Sequence, residues 1–260
     1  MRKAVLTLSA ILMLAVFAPA QTVDQIIAKN IEAKGGMAKL KAIQTTRLTG
    51  SAEFSGVQAD IVRVSKRQNK LRLDITVQGM TMVQAYDGQS GWQVVPFTGK
   101  KDPEPMAADD LKIIAQDADI DGPLVDYKQK GHKVELVGKE KMEGTDAWHL
   151  KVTMKGGDVN DLYLDADSFL EIKMKSKTMR RGVETETETT FGDYKEEAGM
   201  MMPHSMEIRA QGAPGTNKIT ITKVEMNTTE DDAKFKMPAV APPPPTDDKQ
   251  PASVTTPPKK

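Results

Sequence analysis

The chain has 260 residues, with 36 basic and 36 acidic side chains and no cysteine, so its formal net charge is zero at neutral pH. Balanced charge gives no electrostatic support to nucleic-acid binding, which we therefore do not expect. Without cysteine the chain has no disulfide, no thiol nucleophile and no thiolate metal site. Its own core must stabilise the fold, and the length suffices for one β-rich domain.

The first twenty residues have the pattern of an export signal. Arg2 and Lys3 precede an apolar run over 4–17, and Ala18-Pro19-Ala20 fits the small-residue cleavage rule. We expect residues 1–20 to be removed and the protein to be released into the periplasm, without lipidation because no cysteine follows the cleavage site. The alternative is a membrane anchor, but the apolar run is shorter than the roughly 20 residues that span a bilayer.

The next segment predicts a helix. Thr22 and Gln25 match a capping box, in which each side chain satisfies a backbone donor of the other residue. An apolar face follows at helical spacing, and Gly35-Gly36 is a suitable end. A further helical turn or two is expected over 37–43, and the simplest use of this helical region is to pack on a sheet.

Most of the remaining chain alternates apolar and polar residues at the period of strands. Short polar or glycine turns separate the segments, notably Asp87-Gly88, which favours a hairpin. Hairpin-length connections imply antiparallel neighbours. We therefore predict a mainly β fold with some α: a half-closed antiparallel barrel of about 11–12 strands, because so many strands curl rather than lie flat. The predicted strands are 48–54, 57–65, 70–77, 80–86, 91–97, 134–142, 147–154, 159–164, 169–179, 183–194, 202–210 and 218–227.

Residues 102–130 interrupt this rhythm, and we call them the insert. A helical apolar face is predicted at Leu111, Ile114, Ala115 and Ala118. Gly122-Pro123 should end that helix, and Leu124 with Val125 should begin a second, shorter one. A helical insert can either fill the concave face of a curved sheet or cover it as a lid. The small, modestly apolar face favours a movable lid.

The sequence gives little sign of catalysis. His132, His149 and His204 lack ligand spacing, and no nucleophile elbow, phosphate loop or dinucleotide motif is present. The run Asp117–Gly122 matches half of a calcium loop, but the twelfth position is Lys128 where a bidentate acid is required. We expect no metal, no cofactor and no enzymatic activity.

Methionine is abundant, with 16 residues in the chain. Its flexible, polarisable side chain suits a cavity that accepts variable apolar shapes, although ordinary core filling is the alternative. The candidate cavity wall consists of Met80, Met82, Trp92, Met142, Met154, Met174 and Met206.

The end of the chain has a different composition. Residues 239–260 are rich in proline and poor in large apolar side chains, which predicts an extended, disordered tail. A docking peptide for a proline-binding module is the alternative. We accordingly place the folded domain at 21–238.

Several short sequence motifs resemble those of the LolA-like family of outer-membrane lipoprotein-sorting proteins. They are Ala33-Lys34-Gly35-Gly36 with Leu40 and Ile43, Tyr86-Asp87-Gly88-Gln89-Ser90-Gly91-Trp92, Asp121-Gly122-Pro123-Leu124, Leu162-Tyr163-Leu164-Asp165, and Phe191-Gly192-Asp193-Tyr194 followed by Pro203. The resemblance covers roughly residues 22–238, and its motifs are structural rather than chemical.

This resemblance implies a half-closed barrel with a lid at 102–130 and a periplasmic carrier that shelters acyl chains. The implied partners are acylated lipoproteins or lipids and membrane-bound donor or acceptor proteins, and we expect a monomer. In the carrier an arginine contacts the lid, and the candidates for that latch are Arg47, Arg63 and Arg72. The alternative is a ligand-binding sensor or regulatory interaction module of the same fold.

Overall fold

The computed structural model describes residues 21–180, 182–213 and 215–239. The predicted signal at 1–20 and the predicted proline-rich tail, apart from its first residue, lie outside the described residues. Across the described part of the chain, no helix is both long and apolar enough to cross a membrane.

Three α-helices and thirteen β-strands make up the described fold. The helices are α1 (Val23–Ala33), α2 (Met37–Ala42) and α3 (Ala108–Asp117). The strands are β1 (Thr45–Phe54), β2 (Val57–Lys66), β3 (Lys70–Val77), β4 (Met80–Tyr86), β5 (Gly91–Val94), β6 (Glu104–Pro105), β7 (Lys133–Met142), β8 (Thr145–Thr153), β9 (Val159–Asp165), β10 (Glu171–Arg180), β11 (Val183–Glu197), β12 (Met200–Ala210) and β13 (Asn217–Met226).

The predicted capping box begins α1. The Gln25 amide donates to the Thr22 hydroxyl at 3.3 Å, and the Thr22 amide donates to Gln25 Oε1 at 2.9 Å. The helix ends at Ala33, and the chain turns at Gly35, whose φ of +118° suits glycine. A Cβ at Gly35 would lie 2.5 Å from the Gly199 carbonyl oxygen, so only glycine lets the α1–α2 turn approach the β11–β12 hairpin.

All strands form one antiparallel sheet in the order β6-β5-β4-β3-β2-β1-β13-β12-β11-β10-β9-β8-β7. The sheet is not closed, because its edges are β6 and β7 and no ladder joins them. The mainly β, half-open architecture is confirmed. The described strand count is thirteen rather than 11–12, because the two-residue β6 pairs with β5 inside the predicted insert.

The two faces of the sheet carry different segments. On the face that we call inner, α1, α2 and α3 pack against the strands, and Leu71 and Tyr86 contact the α3 cluster. On the outer face lies the C-terminal segment, residues 227–238. Strand alternation assigns neighbouring residues to opposite faces, so Arg72 and Trp92 belong to the outer face.

The C-terminal segment is anchored by an aromatic residue. Phe235 is fully buried, and its carbonyl accepts a 2.8 Å hydrogen bond from the Trp92 indole N–H. Trp92 itself clusters with Val83 and Ala85. This apolar packing stabilises the segment across the outer face of β1–β5.

The second half of the insert differs from its prediction. Residues 119–131 form turns rather than a second helix. Asp126 has a φ of +53°, which is incompatible with helical continuation from Leu124 and Val125. Those two residues are nevertheless buried, so the apolar pattern reflects anchoring of turns and not a helical face.

Candidate ligand-binding site

The insert contains the edge strand β6 and leads through α3 and the following turns to the other edge strand, β7. Its helix α3 packs on β3–β5, where Ile114 and Ala118 are buried with Leu71 and Met106. Its second half packs elsewhere, because Leu124 and Val125 belong to the core cluster that contains α1. The insert therefore bridges the two halves of the inner face.

A cavity of about 240 Å³ lies beneath the turns of the insert. Its apolar lining comes from α2, the sheet and the insert itself: Leu40, Ile43, Leu48, Ile120, Met200 and Met202. Arg63, Asp119 and Asp121 provide polar groups at its boundary. Ligand pockets typically measure about 300–1,000 Å³, so this cavity is too small for a lipid chain unless the insert moves.

A second, more open space of about 590 Å³ lies beside α3. Its walls mix aliphatic groups with cationic ones, including Lys112, Lys130 and Lys155, together with Met154 and His132. Lys112 is paired with Asp158 at 2.7 Å and Lys130 is paired with Asp119. The space is therefore a cleft with charged groups in its walls, between the insert and the β8–β9 turn.

A third apolar region of the inner face has no helical residue in its cluster. It is an apolar cluster made only of strand residues, which we call the strand trough. The buried members are Ala52, Ile61 and Ile221, and the partly exposed members are Leu48, Phe54, Ile75, Met206, Ile219 and Val224. Six of its nine side chains, from β1–β3, β12 and β13, are only partly buried, so the trough presents some apolar surface inside the half-barrel.

Polar contacts hold the insert against the sheet. Asp121 accepts hydrogen bonds from Arg67 at 2.9 and 3.0 Å and from Lys41 at 2.7 Å. Burial opposes ionisation of Asp121, but the hydrogen bonds from Arg67 and Lys41 outweigh it, so the pKa of Asp121 lies below its ordinary value. Arg67 also donates to the Leu40 and Ile43 carbonyls, so it ties α2 to the insert.

Two further attachments flank this ion cluster. Asp24 at the start of α1 accepts from the Tyr127 hydroxyl at 2.8 Å and from Lys128 at 2.9 Å. Those hydrogen bonds, the one from Lys128 foremost, lower the pKa of Asp24. Asp158 is buried in the β8–β9 turn and accepts from Lys112 and Gln116 of α3. Each end of the insert therefore has its own polar attachment.

Of the three candidate latch arginines, Arg63 is the one that reaches the insert. Its guanidinium donates a 2.7 Å hydrogen bond to the Asp117 carbonyl at the end of α3. Arg47 pairs with Glu230, and Arg72 donates to the Lys234 carbonyl, so both contact the C-terminal segment instead. Sequence reasoning could not separate them because the face of a strand residue depends on a register it does not show.

Arg67 and Asp158 were missed from sequence. Each lies in a hairpin turn, where a charged residue is ordinary, and each contacts the insert across more than 40 positions of the chain. No local spacing connects such residues.

Asp117, at the C-terminal end of α3, has an unusual environment. Its side chain is exposed, yet protein surrounds it closely enough that burial raises the pKa of its carboxyl, with Arg63 acting in the opposite direction. The acidic residues between Asp117 and Asp121 have different partners. Asp121 bonds to α2 and to the β2–β3 turn, while Asp119 pairs with Lys130.

The predicted wall methionines are distributed over several environments. Met206 lies in the strand trough, and Met82 is partly buried on the same face. Met154 borders the 590 Å³ space, and both it and Met174 pack against the α1 cluster. Met80 is 44% exposed at the β3–β4 hairpin. The 240 Å³ cavity is instead lined by Met200–Met202, which sequence reasoning did not select.

Two predicted wall residues lie on the wrong face. Trp92 packs beneath the C-terminal segment on the outer face, where its indole N–H donates to Phe235. Met142 pairs with Thr145 at the tip of the β7–β8 hairpin, and alternation places it on the same face as Glu140, opposite the core cluster. Neither residue can contact a ligand inside the half-barrel in this conformation.

The histidines are separated in space as they are in sequence. His149 has Glu140 at 2.6 Å from Nδ1 and Asp161 at 2.8 Å from Nε2, and it stacks on Tyr163. His204 contacts the Ile221 carbonyl, and His132 accepts from the Lys155 amide. Within the described ranges no group of three or more His, Cys, Asp or Glu residues is arranged to hold a metal ion.

Comparison with known proteins supports the fold. No family model matches the sequence, and neither does any curated protein. Among solved structures, a DUF1329 family protein from Desulfovibrio piger aligns with a TM-score of 0.58 at 12% identity, covering 84% of this chain and 98% of that one. A LolA superfamily protein from Nitrosomonas europaea aligns with a TM-score of 0.57 at 12% identity, covering 84% and 98%.

A third structure, a domain named for outer-membrane lipoprotein sorting from Vibrio parahaemolyticus, aligns with a TM-score of 0.53 at 13% identity. It covers 80% of this chain and 97% of its own. At these identities the likeness concerns architecture and does not transfer a ligand or a partner. The structural resemblance expected from the sequence is confirmed: the chain has a LolA-like fold.

Proposed function

We propose that this protein is a periplasmic carrier that holds the acyl chains of a lipid or lipoprotein in the half-barrel beneath its insert. The observation that carries the proposal is the strand trough, an apolar inner surface built of strand residues, next to an insert whose attachments include the charged hydrogen bonds of Arg63 and Arg67. The proposal is of a binding protein and not an enzyme, and its partners would be the membrane-bound proteins that deliver or accept the lipid.

The cavity is too small for an acyl chain, so the insert must move or the chain must lie in the trough. In the present arrangement only about 240 Å³ is free beneath it. An acyl chain that enters must therefore displace the insert turns or occupy the trough, whose walls include the flexible Met206. Displacement breaks the contacts of Asp121 and Asp117 but leaves the thirteen-stranded sheet intact.

The balance of free energies favours reversible binding of an acyl chain. Burying each CH₂ group contributes about 0.8 kcal/mol, so a long acyl chain gains on the order of 10 kcal/mol when fully sheltered. Opening the insert would offset part of this gain, because charge-assisted hydrogen bonds contribute about 1.5–3 kcal/mol each. A carrier needs this kind of balance, since an uncompensated gain would prevent transfer to an acceptor.

The test begins with the protein recovered from cells. Extraction followed by mass spectrometry should identify bound lipid, and titration with a fluorescent fatty acid should show saturable binding. If no lipid is recovered and no fatty acid binds, the proposal is wrong.

Two adjacent residues of β3 provide a matched pair of variants. Ile75 lies in the strand trough, whereas Thr76 lies on the opposite face and contacts Thr81 at 2.9 Å. We expect Ile75→Asn to weaken fatty-acid binding about tenfold and Thr76→Asn to change it by less than about twofold. Equal effects of the two substitutions would argue against a ligand in the trough.

A further inference from the structure

The exposed apolar side chains are concentrated at one end of the strands. Eight large apolar residues of the described chain are substantially exposed, and five of them lie at connections on the same end of β1–β5 and β10–β13. We call this set the hairpin rim: Val57, Met80, Phe97, Met179 and Val183, between 44% and 65% exposed.

The strand order makes these connections neighbours. In the series β5-β4-β3-β2-β1-β13-β12-β11-β10 the chain reverses at this end after β5, between β3 and β4, between β1 and β2, between β12 and β13, and between β10 and β11. The rim is therefore one continuous edge of the half-barrel and not a scatter of unrelated surface residues.

The strand trough extends to this rim. Phe54 of the trough pairs directly with Val57, and Ile75 pairs with Met82, two residues from the rim residue Met80. An apolar ligand could therefore pass from the rim to the trough without crossing a polar barrier on these strands.

Basic residues accompany the apolar tips. Lys100 and Lys101 follow Phe97, Arg180-Arg181 separates Met179 from Gly182-Val183 in the sequence, and Arg209 and Lys218 flank the β12–β13 turn. Lys100 and Lys218 have carboxylate partners in Glu104 and Glu207. Arg209 donates to the Thr216 hydroxyl at 2.9 Å, and its charge also helps to lower the pKa of Glu143, after the larger effect of Lys173.

We propose that the hairpin rim docks this protein on the surface of an anionic phospholipid bilayer, with its apolar tips inserted at the headgroup boundary. Single apolar residues on separate hairpins, interspersed with lysine and arginine, fit shallow insertion and attraction to acidic headgroups. A protein–protein interface would favour a contiguous patch depleted in lysine. This docking goes beyond the carrier function and does not require a ligand under the insert.

The experiment uses vesicle flotation with the protein as it is isolated. Vesicles of phosphatidylglycerol mixed with phosphatidylcholine are compared with vesicles of phosphatidylcholine alone. We expect binding to the anionic vesicles that weakens with added salt. No binding, or equal binding to both compositions, would overturn the proposal.

Two triple variants separate the rim from general surface apolarity. The rim variant combines Met80→Ser, Phe97→Ser and Val183→Ser. The control combines Met37→Ser, Val137→Ser and Met237→Ser, which are also exposed but lie on α2, within β7 and on the C-terminal segment. Both variants share the N-terminus of the parent, so residues 1–20 contribute equally if they are retained.

We expect the rim variant to lose at least about tenfold in vesicle affinity and the control to lose less than about twofold. Melting temperatures of both variants verify folding, and sedimentation tests for self-association. Equal losses would overturn the proposal, as would a rim variant that changes only the oligomeric state. Fatty-acid binding measured on the same samples separates a failure of docking from a failure of the carrier function.

Discussion

The insert and the C-terminal segment both cross the sheet, one on each face, and both combine buried apolar side chains with charged contacts, but the 240 Å³ cavity lies beneath the insert. On the outer face, Phe235 is completely buried and Trp92 donates to its carbonyl. On the inner face, α3 and the following turns bury Ile114, Ala118, Leu124 and Val125, and hydrogen bonds from Arg63, Arg67 and Lys41 add to this packing beside a cavity. A completely buried aromatic anchor favours a permanent attachment, whereas charged contacts beside a cavity favour a reversible one.

The largest expected effect tests the attachment of the C-terminal segment. Phe235→Ala should lower the free energy of unfolding by about 3–5 kcal/mol, because it leaves a cavity beneath the C-terminal segment. Denaturant titration measures the change. The control Phe97→Ala, at a side chain 46% exposed, should change stability by less than about 0.5 kcal/mol. A small effect at Phe235 would mean that the segment is not an integral part of the fold.

The second prediction concerns the ion cluster of the insert. Asp121→Asn should lower the free energy of unfolding by about 1–3 kcal/mol at neutral pH, because Arg67 and Lys41 lose an ionised acceptor. The pKa of Asp121 is lower in the folded protein than its ordinary value, so this stabilisation is present above the ordinary pKa and is lost as pH falls through the folded pKa. The difference between the parent and the variant should therefore shrink below about pH 4.

Denaturant titrations of both proteins at neutral and acidic pH measure that difference. The exposed Asp60→Asn is the control, and its effect should stay below about 0.5 kcal/mol. A difference at Asp121 that is independent of pH would show that ionisation is not what holds the insert.

The third prediction isolates one hydrogen bond. Arg63→Ala removes the donor to the Asp117 carbonyl and should cost about 1 kcal/mol, expressed as faster hydrogen exchange in α3. Arg72→Ala, on the opposite face, should leave exchange in α3 unchanged. Equal protection of α3 in the parent and in Arg63→Ala would remove Arg63 as a candidate latch.

The smallest effect is expected to be stabilising. Asp117 carries a negative charge at the C-terminal end of α3, and burial raises the pKa of its carboxyl. A group whose folded pKa is raised destabilises the fold above that pKa, so Asp117→Asn should raise stability at neutral pH by about 0.3–1 kcal/mol. Thermal melts should show the increase at neutral pH and its disappearance in acid. A lower melting temperature would mean that attraction to Arg63 outweighs both costs.

The sequence predicted the regular parts of the molecule well because their signals are local. The capping box of Thr22 and Gln25 and the twelve alternating segments need only neighbouring residues, and each of those segments overlaps an observed strand. The two-residue β6 was missed because so short a strand carries no period. The second helix of the insert was wrongly predicted because the apolar residues Leu124 and Val125, which are buried in turns, match the pattern of a helical face.

The candidate site was predictable only in outline. Abundant methionine and the insert pointed to an inner cavity, but which face of the sheet Trp92 occupies depends on the register of the four-residue strand β5, which the sequence does not show. Arg67 and Asp121 are 54 positions apart in the chain, and nothing in the residues around either one predicts their hydrogen bonds. Contacts made by turns depend on the tertiary structure, so they were the part of the site that the sequence predicted least well.

The position of the insert between the two sheet edges has a consequence for topology. The ladders from β6 round to β7 and the covalent chain from β7 back to β6 together form a closed circuit around the interior. A single protease cut between residues 106 and 132 would open that circuit while leaving every strand ladder paired. A nicked protein would keep its sheet, but its opening would no longer be limited by the length of a continuous chain.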